Sequence, residues 1–233
     1  MSYAEANPEA PRFAPPVTRP DNLTALVFAA IRDKIVDSSL PPGSSVSEAS
    51  LAAQLQVSKT PVREALLRLR HIGLVEPGGR GLQVIQPSIA GIRDAFEFRA
   101  GIEAMAGRHA ANRSTPEQQE RILELASRSQ EAAEGHDDAN FLRCDQEFHL
   151  AIADAARNGV LREAVENSII LTRALRRRDV TARRDFVPDA REHIGIAEVI
   201  RAGSPELAAT RIADHIHRIM LEMLDIDLGP VSS

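Results

Sequence analysis

Residues Ser47–Leu74 read SEASLAAQLQVSKTPVREALLRLRHIGL, and this stretch decides the fold of the N-terminal part of the chain. Apolar residues recur at helical spacing on both sides of a short break at 56–58. This periodicity predicts two amphipathic helices joined by a tight turn, which is the plan of a helix-turn-helix. The apolar positions are Leu51, Ala52 and Leu55 before the break, and Val62, Leu66 and Leu69 after it.

The N-terminal end of the second helix carries polar and basic side chains. Ser58 is predicted to cap this helix, and Pro61 is tolerated because it falls in the first turn. Lys59, Thr60 and Arg63 then lie on the exposed end that a helix-turn-helix presents to the major groove of DNA. On this pattern alone, an ordinary helical hairpin with solvated charges is the alternative.

A glycine-rich turn follows the second helix. Strands at 74–76 and 82–86 are predicted to flank the segment Pro77–Gly81. Pro-Gly-Gly and Gly-Arg-Gly form turns with little side chain, so the backbone can approach a phosphate or a minor groove closely. Gly79 and Arg80 in this turn are therefore predicted to contact DNA.

The segment VSKTPVREALLRLRHIGLVEPGGRGLQV closely resembles the winged helix-turn-helix of the GntR family of bacterial transcription regulators. The resemblance implies a DNA-binding module in which a recognition helix is followed by a two-stranded wing. Lys59 stands where the family usually has arginine, so a bidentate guanine contact becomes a point charge. Ala49 stands where the family often has a DNA-contacting arginine, and we expect an operator that differs from the common family sequence.

Composition favours helices and divides the charge unevenly. Of 233 residues, 43% are hydrophobic and only 3% are aromatic, which favours helices over sheet. The net charge is -5, but the segment 41–86 carries +2, so the remainder carries -7. A mildly basic module on an acidic body suits a DNA reader that needs a specific site. The charged residues of this segment are Lys59, Arg63, Arg68, Arg70 and Arg80 against Glu48, Glu64 and Glu76.

The cysteine content and the hydropathy of the chain indicate where in the cell the protein is located. Cys144 is the only cysteine, so no internal disulfide is possible. The N-terminus lacks a basic segment followed by an apolar run, and no stretch approaches the ~18 apolar residues of a membrane span. We therefore expect a soluble, cytoplasmic protein with no membrane partner.

Proline and glycine positions divide the chain into four parts. Residues 1–20 are rich in proline and are predicted to be a disordered arm. Residues 21–86 form the DNA-binding module, which begins with a helix at 21–38. Only helical periodicity follows, so 87–225 is predicted to be an all-α bundle of six or more helices that binds the effector and forms the dimer. Residues 226–233 are a C-terminal tail.

Capping and turn residues mark the helices of the second domain. Thr115-Pro116-Glu117-Gln118 combines a threonine cap, a proline at the first position and a glutamine three residues after the cap. Pro188 is predicted to lie in a loop. The predicted helices span about 89–112, 116–134, 137–157, 161–178, 189–202 and 205–224.

Three histidines and one aspartate of the second domain could form a metal site. Asp145 and His149 are four residues apart and therefore share one helix face. His193 and His215 each interrupt an apolar stripe, where a buried imidazole needs a partner. Seen singly, each is more simply explained as a core histidine or a side-chain hydrogen bond. Together the four residues fit a divalent transition-metal site.

The pattern Asp145-x3-His149, followed by REHIGIAEVIRAGSPELAATRIADHI, is similar to the helical effector domain of the FCD subgroup of the GntR family. In many members of that subgroup an aspartate and three histidines hold a metal. The resemblance implies the ligands Asp145, His149, His193 and His215, with zinc as the first choice and nickel, iron or manganese as alternatives. His217 is the rival for the last position, but it points to another helix face.

Arg99 is the candidate effector contact. It shares an apolar helix face with Ile92 and Phe96, where a guanidinium needs an anionic partner. That partner is either Glu103, four residues later on the same helix, or a carboxylate of the effector, which could also occupy an open position on the metal. The context F-E-F-R-x-x-I-E resembles that of FCD members with arginine at this position, which favours the effector.

These patterns together predict a metabolite-responsive transcriptional repressor. It would bind a palindromic double-stranded DNA operator as a homodimer, and its helical domain would bind a divalent metal and a small carboxylate effector. One alternative is a metalloenzyme acting on a small carboxylate and fused to a DNA-binding module, because four protein ligands leave open positions on a metal. Another is a regulator with a structural metal and no effector.

Overall fold

The protein is mainly helical, with a winged helix-turn-helix followed by an all-helical bundle, as the sequence predicts. None of the helices formed by the described residues is long and apolar enough to cross a membrane. The predicted arm at 1–20, the predicted tail at 226–233 and Arg80 lie outside the described residues. The structure, a computed structural model, describes residues 21–79, 81–86, 88–176 and 185–224.

Each half of the chain has its own set of elements. The N-terminal half consists of α1 (Asp21–Val36), β1 (Ser45–Val46), α2 (Glu48–Leu55), α3 (Lys59–Ile72), β2 (Val75–Gly78) and β3 (Gly81–Val84). The bundle consists of α4 (Ile89–Arg113), α5 (Pro116–Glu134), α6 (Asp138–Ala155), α7 (Gly159–Arg176), α8 (Val187–Arg201) and α9 (Pro205–Met223).

Local signals begin and end the two helices of the helix-turn-helix. The hydroxyl of Ser47 caps α2 by accepting a hydrogen bond from the backbone N–H of Ser50. Gly73 ends α3 in the left-handed conformation, with φ 89°. Ser58 occupies the predicted N-cap position of α3, but its side chain makes no capping hydrogen bond. The third residue of α3 is Pro61, which has no N–H for a capping hydroxyl to accept.

The core of this module explains why one end of α3 faces outward. Ile31 of α1 and Leu69 of α3 are fully buried, together with Val62 and Leu66 on the same face of α3. Burial of such side chains is worth ~1.5–3 kcal/mol each. The helix is therefore held by its apolar stripe, and its opposite face and N-terminal end stay in solvent.

The wing is a three-stranded antiparallel sheet of order β1-β3-β2. Strand β1 was not predicted from sequence, because two residues carry no readable alternation and pair only with β3. Gly78 pairs with Gly81, so β2 runs two residues further than predicted and leaves a two-residue turn. Gly79 in that turn has φ 48°, which glycine adopts without strain.

Helix α4 lies at the centre of the bundle and packs against α6, α7, α8 and α9. Its closest approach is to α9, where a Cβ added to Gly107 would lie 2.2 Å from Cδ1 of Ile212. The glycine therefore lets the two backbones come together. This packing brings residues of α4 next to those of α6, α8 and α9 in the bundle interior.

The starts of α5 and α8 can be compared with the capping and turn residues that were predicted from the sequence. Thr115 and Gln118 form the predicted capping box at the start of α5. Pro188 was predicted to lie in a loop, but α8 begins at Val187 and includes it in the first turn. Proline is tolerated there because its missing N–H would have no partner in the helix.

Helix α7 belongs to both halves of the molecule. Its Ile170 is buried in the core of the N-terminal module, and Leu171 lies against Gly73 at the end of α3. On the other side of the helix, Ile169 and Val165 pack into the core of the bundle. One helix is thus shared by the two hydrophobic cores.

Candidate metal centre and DNA-binding surface

The structure brings together the four residues that were predicted to bind a metal. Asp145 and His149 lie on successive turns of α6, His193 lies on α8 and His215 lies on α9. All four are buried, with no more than 2% of each exposed. One nitrogen or oxygen atom from each lies within 4.8 Å of those from the others. Three helices therefore contribute to one buried cluster.

Two of the histidines are oriented through their Nδ1 atoms. Nδ1 of His215 lies 2.6 Å from Oε2 of Glu192, and an ionised carboxylate can only accept. Nδ1 of His193 lies 3.1 Å from the hydroxyl of Ser129, which donates its own hydrogen to the carbonyl of Ala126. Both imidazoles therefore carry a proton on Nδ1, which leaves a lone pair on Nε2.

The third histidine meets a carboxylate on another helix. Nδ1 of His149 lies 2.5 Å from Oε2 of Glu103, although this contact lacks the alignment of a hydrogen bond. The Nε2 atoms of His149 and His193 lie 3.7 and 3.6 Å from Oδ1 of Asp145. Among the described residues, none provides a hydrogen-bond partner for Nε2 of His149, His193 or His215.

Burial and neighbouring charges set the protonation of the histidines. Burial, reinforced by His215, lowers the pKa of His193 well below its usual range. Burial also lowers the pKa of His215, and the hydrogen bond that its Nδ1 donates to Glu192 offsets this only in part. For His149 burial is the largest single influence and acts in the same direction, but the charge of Glu103 and the contacts to Asp145 and Glu103 together outweigh it and raise the pKa. Neutral imidazoles are the form that binds metals, so His193 and His215 are ready as ligands at neutral pH.

The two supporting carboxylates stay ionised. Burial raises the pKa of Glu103, but Arg99 and His149 outweigh it and bring the pKa to about 2. Burial likewise raises the pKa of Glu192, and its hydrogen bonds with His215 and Arg218 bring it to about 2. Both groups therefore place a negative charge beside an imidazole, and Glu192 also accepts a hydrogen bond from Nδ1 of His215.

Aromatic rings close one side of the cluster. The ring of Phe148 stacks on His193 with centroids 4.4 Å apart and meets His149 edge-on at 5.4 Å. Phe141 and Phe148 are fully buried. This apolar wall excludes water and strengthens the electrostatic interactions inside it.

Arg99 lies next to the cluster and is almost fully buried, at 1% exposed. Its Nε donates to Oε1 of Glu103 at 2.5 Å, and its Nη1 donates to the hydroxyl of Thr172 at 3.2 Å. Its Nη2 has no hydrogen-bond partner within the part of the chain that the structure describes. The ion pair with Glu103 is therefore formed, and one end of the guanidinium is left for a further acceptor.

The predicted DNA-contacting residues of the recognition helix lie on one exposed end. They surround the start of α3, where the helix leaves the core of the module. A row of polar side chains in this position can reach base edges and phosphates. The exposed residues are Ser58, Lys59, Thr60 and Arg63.

The tip of the wing is open to an approaching surface. Apart from its chain neighbours, no described residue has an atom within 4 Å of the position where Gly79 would carry a Cβ. The backbone of the turn can therefore come close to a phosphate, as the glycine-rich sequence predicts. Arg80, the other predicted contact of the wing, lies outside the described residues.

Glu48 on α2 binds Arg63, a contact that the sequence patterns did not predict. Nε of Arg63 lies 3.1 Å from Oε1 of Glu48, and Nη2 lies 3.0 Å from Oε2. The hydrogen bond from Arg63 lowers the pKa of the Glu48 carboxyl. The two residues are 15 positions apart in sequence, so only the packing of α2 against α3 brings them into contact.

The residues that support the histidines were also missed. Glu103 was considered only as a partner for Arg99, although it contacts His149 as well. Glu192 directly precedes His193 in sequence, but it supports His215 on the next helix. A polar Ser129 on the buried face of α5 was a readable signal, because a buried hydroxyl needs a partner.

Comparison with known proteins supports both halves of this description. The family model "Bacterial regulatory proteins, gntR family" matches residues 23–83, and the FCD domain model matches residues 94–218. The "Probable D-xylose utilization operon transcriptional repressor" of Paenarthrobacter nicotinovorans is 34% identical over 201 residues, covering 82% of this chain and 85% of that protein. The "Nta operon transcriptional regulator" of Aminobacter aminovorans is 29% identical over 192 residues, covering 82% of this chain and 90% of that protein.

A solved structure shows the same fold. E. coli McbR/YncC superposes with a TM-score of 0.72 over 88% of this chain and 98% of that chain, at 22% sequence identity. The domains and relatives found are those of DNA-binding transcriptional regulators and not of enzymes, which removes the support for a metalloenzyme fused to a DNA-binding module. Since both halves match and a relative above 30% identity covers most of the chain, the protein belongs to the GntR family of bacterial transcriptional regulators and carries an FCD domain.

Proposed function

We propose that this regulator binds a divalent transition metal through Asp145, His149, His193 and His215. The observation that carries the proposal is the set of three buried Nε2 atoms without hydrogen-bond partners among the described residues. A buried polar nitrogen that loses its water without gaining a partner costs ~1–3 kcal/mol. A metal bound by all three nitrogens would remove that cost, and the buried carboxylate of Asp145 would balance part of its charge.

The donor set favours zinc and leaves other ions open. Three imidazoles and one carboxylate suit zinc first, while nickel, iron and manganese accept the same ligands. The ion would supply positive charge that attracts a carboxylate oxygen. His215 and His193 are already held in orientation by Glu192 and Ser129, so binding requires little rearrangement of these rings.

We further propose that a small carboxylate effector binds beside Arg99. The Nη2 group is buried, and no described residue accepts its hydrogen bonds. An effector carboxylate would meet this need with a charge-assisted hydrogen bond. Glu103 already balances one charge, which favours the alternative of a structural metal without an effector.

Helix α7 provides a physical route from the effector to the DNA-binding module. Its Thr172 accepts a hydrogen bond from Arg99, and Ile170, two residues away, is buried in the core of the N-terminal module. An effector that moves Arg99 would therefore act on the helix that supports α1 and α3. We propose that this changes the relative placement of two DNA-binding modules and hence operator affinity.

We propose a homodimer that binds a palindromic operator and acts as a repressor. One small winged helix makes too few contacts for tight specific binding, and two-fold pairing doubles them. In this proposal residues 21–86 read DNA, with Ser58, Lys59, Thr60, Arg63, Gly79 and Arg80 as contacts. Residues 87–225 bind the metal and the effector and form the dimer.

A thermal-shift screen of metabolite carboxylates on the metal-loaded protein tests the effector proposal. A ligand that binds only the folded state raises Tm, by mass action. We expect a carboxylate that stabilises the wild type, stabilises Arg99→Ala less, and changes the affinity for DNA selected by the protein. A stabilising metal combined with no stabilising carboxylate would support the alternative of a regulator without an effector.

A further inference from the structure

Glu48 at the start of α2 and Arg63 in the second turn of α3 form a two-pronged contact. Three hydrogen bonds are formed, from Nε of Arg63 to both carboxylate oxygens and from Nη2 to Oε2, at 3.0–3.2 Å. Glu48 is the first residue of α2, directly after its cap at Ser47. The carboxylate is therefore held in place by a capped helix end, and it holds the guanidinium in turn.

Stability does not explain this pair. Some 64% of the Arg63 side chain and 34% of the Glu48 side chain are exposed. Exposed ion pairs contribute little to folding, because water and salt screen their charges. What the two-pronged geometry does fix is the plane and direction of the guanidinium, because a side chain held at two points loses its rotational freedom.

Because Glu48 binds only one side of the Arg63 guanidinium, the N–H groups on its other side stay available. A guanidinium has five N–H groups, one on Nε and two on each terminal nitrogen. Glu48 engages Nε and Nη2, which are on one side of the fork. The end of the fork, formed by Nη1 and the second N–H of Nη2, remains for another acceptor. This end has the spacing that pairs with O6 and N7 of guanine in the major groove.

The charge of Glu48 works against a simple phosphate contact. A carboxylate next to the DNA-facing end of α3 repels the phosphate backbone and so lowers affinity for every sequence. This loss of affinity is the same for every DNA sequence, whereas a correctly oriented guanidinium discriminates between bases. The arrangement therefore favours selectivity over affinity.

We propose that Glu48 is a positioning residue that orients Arg63 so that the end of its guanidinium reads a guanine. This inference rests on the proposed role of Arg63 as a DNA contact. In this proposal Arg63 contacts a base rather than a phosphate. Glu48 affects the sequence preference only by orienting Arg63.

The test is selection of binding sites from a random duplex DNA pool by the full-length protein. It compares the wild type with Glu48→Gln and Arg63→Ala, followed by affinity measurements on the selected duplex and on a duplex of unrelated sequence. Glu64→Gln is the matched control, because it removes the same charge from the same module while Glu64 contacts Thr24 of α1. Melting temperatures of all four proteins show whether each is folded.

We expect the wild type to select a site with a guanine that Arg63→Ala no longer prefers. Glu48→Gln should lose preference at that same position, with the ratio of specific to unrelated affinity lowered about tenfold, the usual worth of one good base pair contact. Its affinity for unrelated DNA should be unchanged or higher, since a negative charge has been removed. Glu64→Gln should select the wild-type site.

Three results would overturn the inference, and they can be told apart. If Arg63→Ala loses the guanine and Glu48→Gln keeps it, then Arg63 reads the base without help. If Arg63→Ala weakens binding to all sequences equally, then Arg63 contacts a phosphate, and the proposed base contact fails as well. If Glu48→Gln and Glu64→Gln broaden the preference alike, then the effect comes from the net charge of the module.

Discussion

Oε2 of Glu103 on α4 lies 2.5 Å from Nδ1 of His149 on α6. The other oxygen of the same carboxylate lies 2.5 Å from Nε of Arg99. One buried side chain thereby connects the proposed effector contact with a proposed metal ligand. In metal sites a carboxylate on the far nitrogen of a histidine fixes the orientation of the ring and raises its basicity.

Loss of the Glu103 charge should weaken metal binding although Glu103 is not itself a proposed ligand. For Glu103→Gln we expect metal affinity to fall about 10- to 100-fold, the usual effect of losing such a supporting group. Competition with a chromophoric chelator measures this affinity. Glu124→Gln is the control, because Glu124 is exposed on α5, away from the histidines, and pairs with Arg121 and Arg128 of its own helix. Equal affinities of the two variants would show that Glu103 does not support His149.

Replacing one proposed ligand should reduce bound metal and stability together. His193→Ala removes a nitrogen from a site that joins α6, α8 and α9, and metal binding favours the folded state. We expect a lower metal content by elemental analysis, and a Tm that no longer rises when metal is added. His217→Ala removes an exposed histidine of α9 and should behave as the wild type. Full metal content in His193→Ala would show that the ligands are wrongly assigned.

Breaking the buried ion pair of Arg99 should cost more than removing it entirely. In the metal-free protein we expect Arg99→Met to lower the free energy of unfolding by ~3–5 kcal/mol, because Glu103 remains charged and buried. The double variant Arg99→Met/Glu103→Gln should recover part of this loss. Urea denaturation measures both. Arg121→Met, at an exposed pair with Glu124, should change stability by only ~0–1 kcal/mol.

If the double variant is no more stable than Arg99→Met, then Glu103 is not the source of the cost. In that case the other contacts of Arg99, of which Thr172 is one, would carry its contribution.

Two glycines of α4 should respond to alanine with opposite signs. A Cβ at Gly107 would lie 2.2 Å from Cδ1 of Ile212, so Gly107→Ala should destabilise by ~1–3 kcal/mol through overpacking. Apart from its chain neighbours and the backbone of its own helix, no described residue has an atom within 4 Å of a Cβ at Gly101, so Gly101→Ala should stabilise by ~0.5–1 kcal/mol through helix propensity. Chemical denaturation of both variants measures the difference.

A second substitution identifies the clashing atom. Ile212→Val removes Cδ1 alone and should cost ~0.5–1.5 kcal/mol in the wild-type background. Combined with Gly107→Ala, it should restore stability, so that the two changes are not additive. Additive losses would mean that the helix α9 backbone, rather than this methyl group, limits the approach of α4.

The sequence by itself determined the helices and the turns between them. Apolar spacing in Ser47–Leu74, the capping box at Thr115 and the stop at Gly73 are local signals, and the structure contains each of them. Its errors were also local. Ser58 was assigned a capping bond that Pro61 cannot complete, and Pro188 was placed outside a helix whose first turn accepts proline.

Spacing also singled out Asp145 and His149, because residues four apart on one helix must share a face. His193 and His215 were singled out because each interrupts an apolar stripe, and the resemblance to a known domain then placed them with Asp145 and His149 in one ligand set. Periodicity places a side chain on a face of its own helix and says nothing about which other helix that face meets.

Only the tertiary structure decided which residues support the site. Glu103 reaches His149 because α4 packs against α6, and Glu192 reaches His215 because α8 packs against α9. Strand β1 exists only through its pairing with β3, and Glu48 meets Arg63 only through the packing of two helices. These contacts join positions far apart in sequence, where no local propensity acts. They form because burial of the apolar faces brings the helices together, and buried charged groups must then find partners.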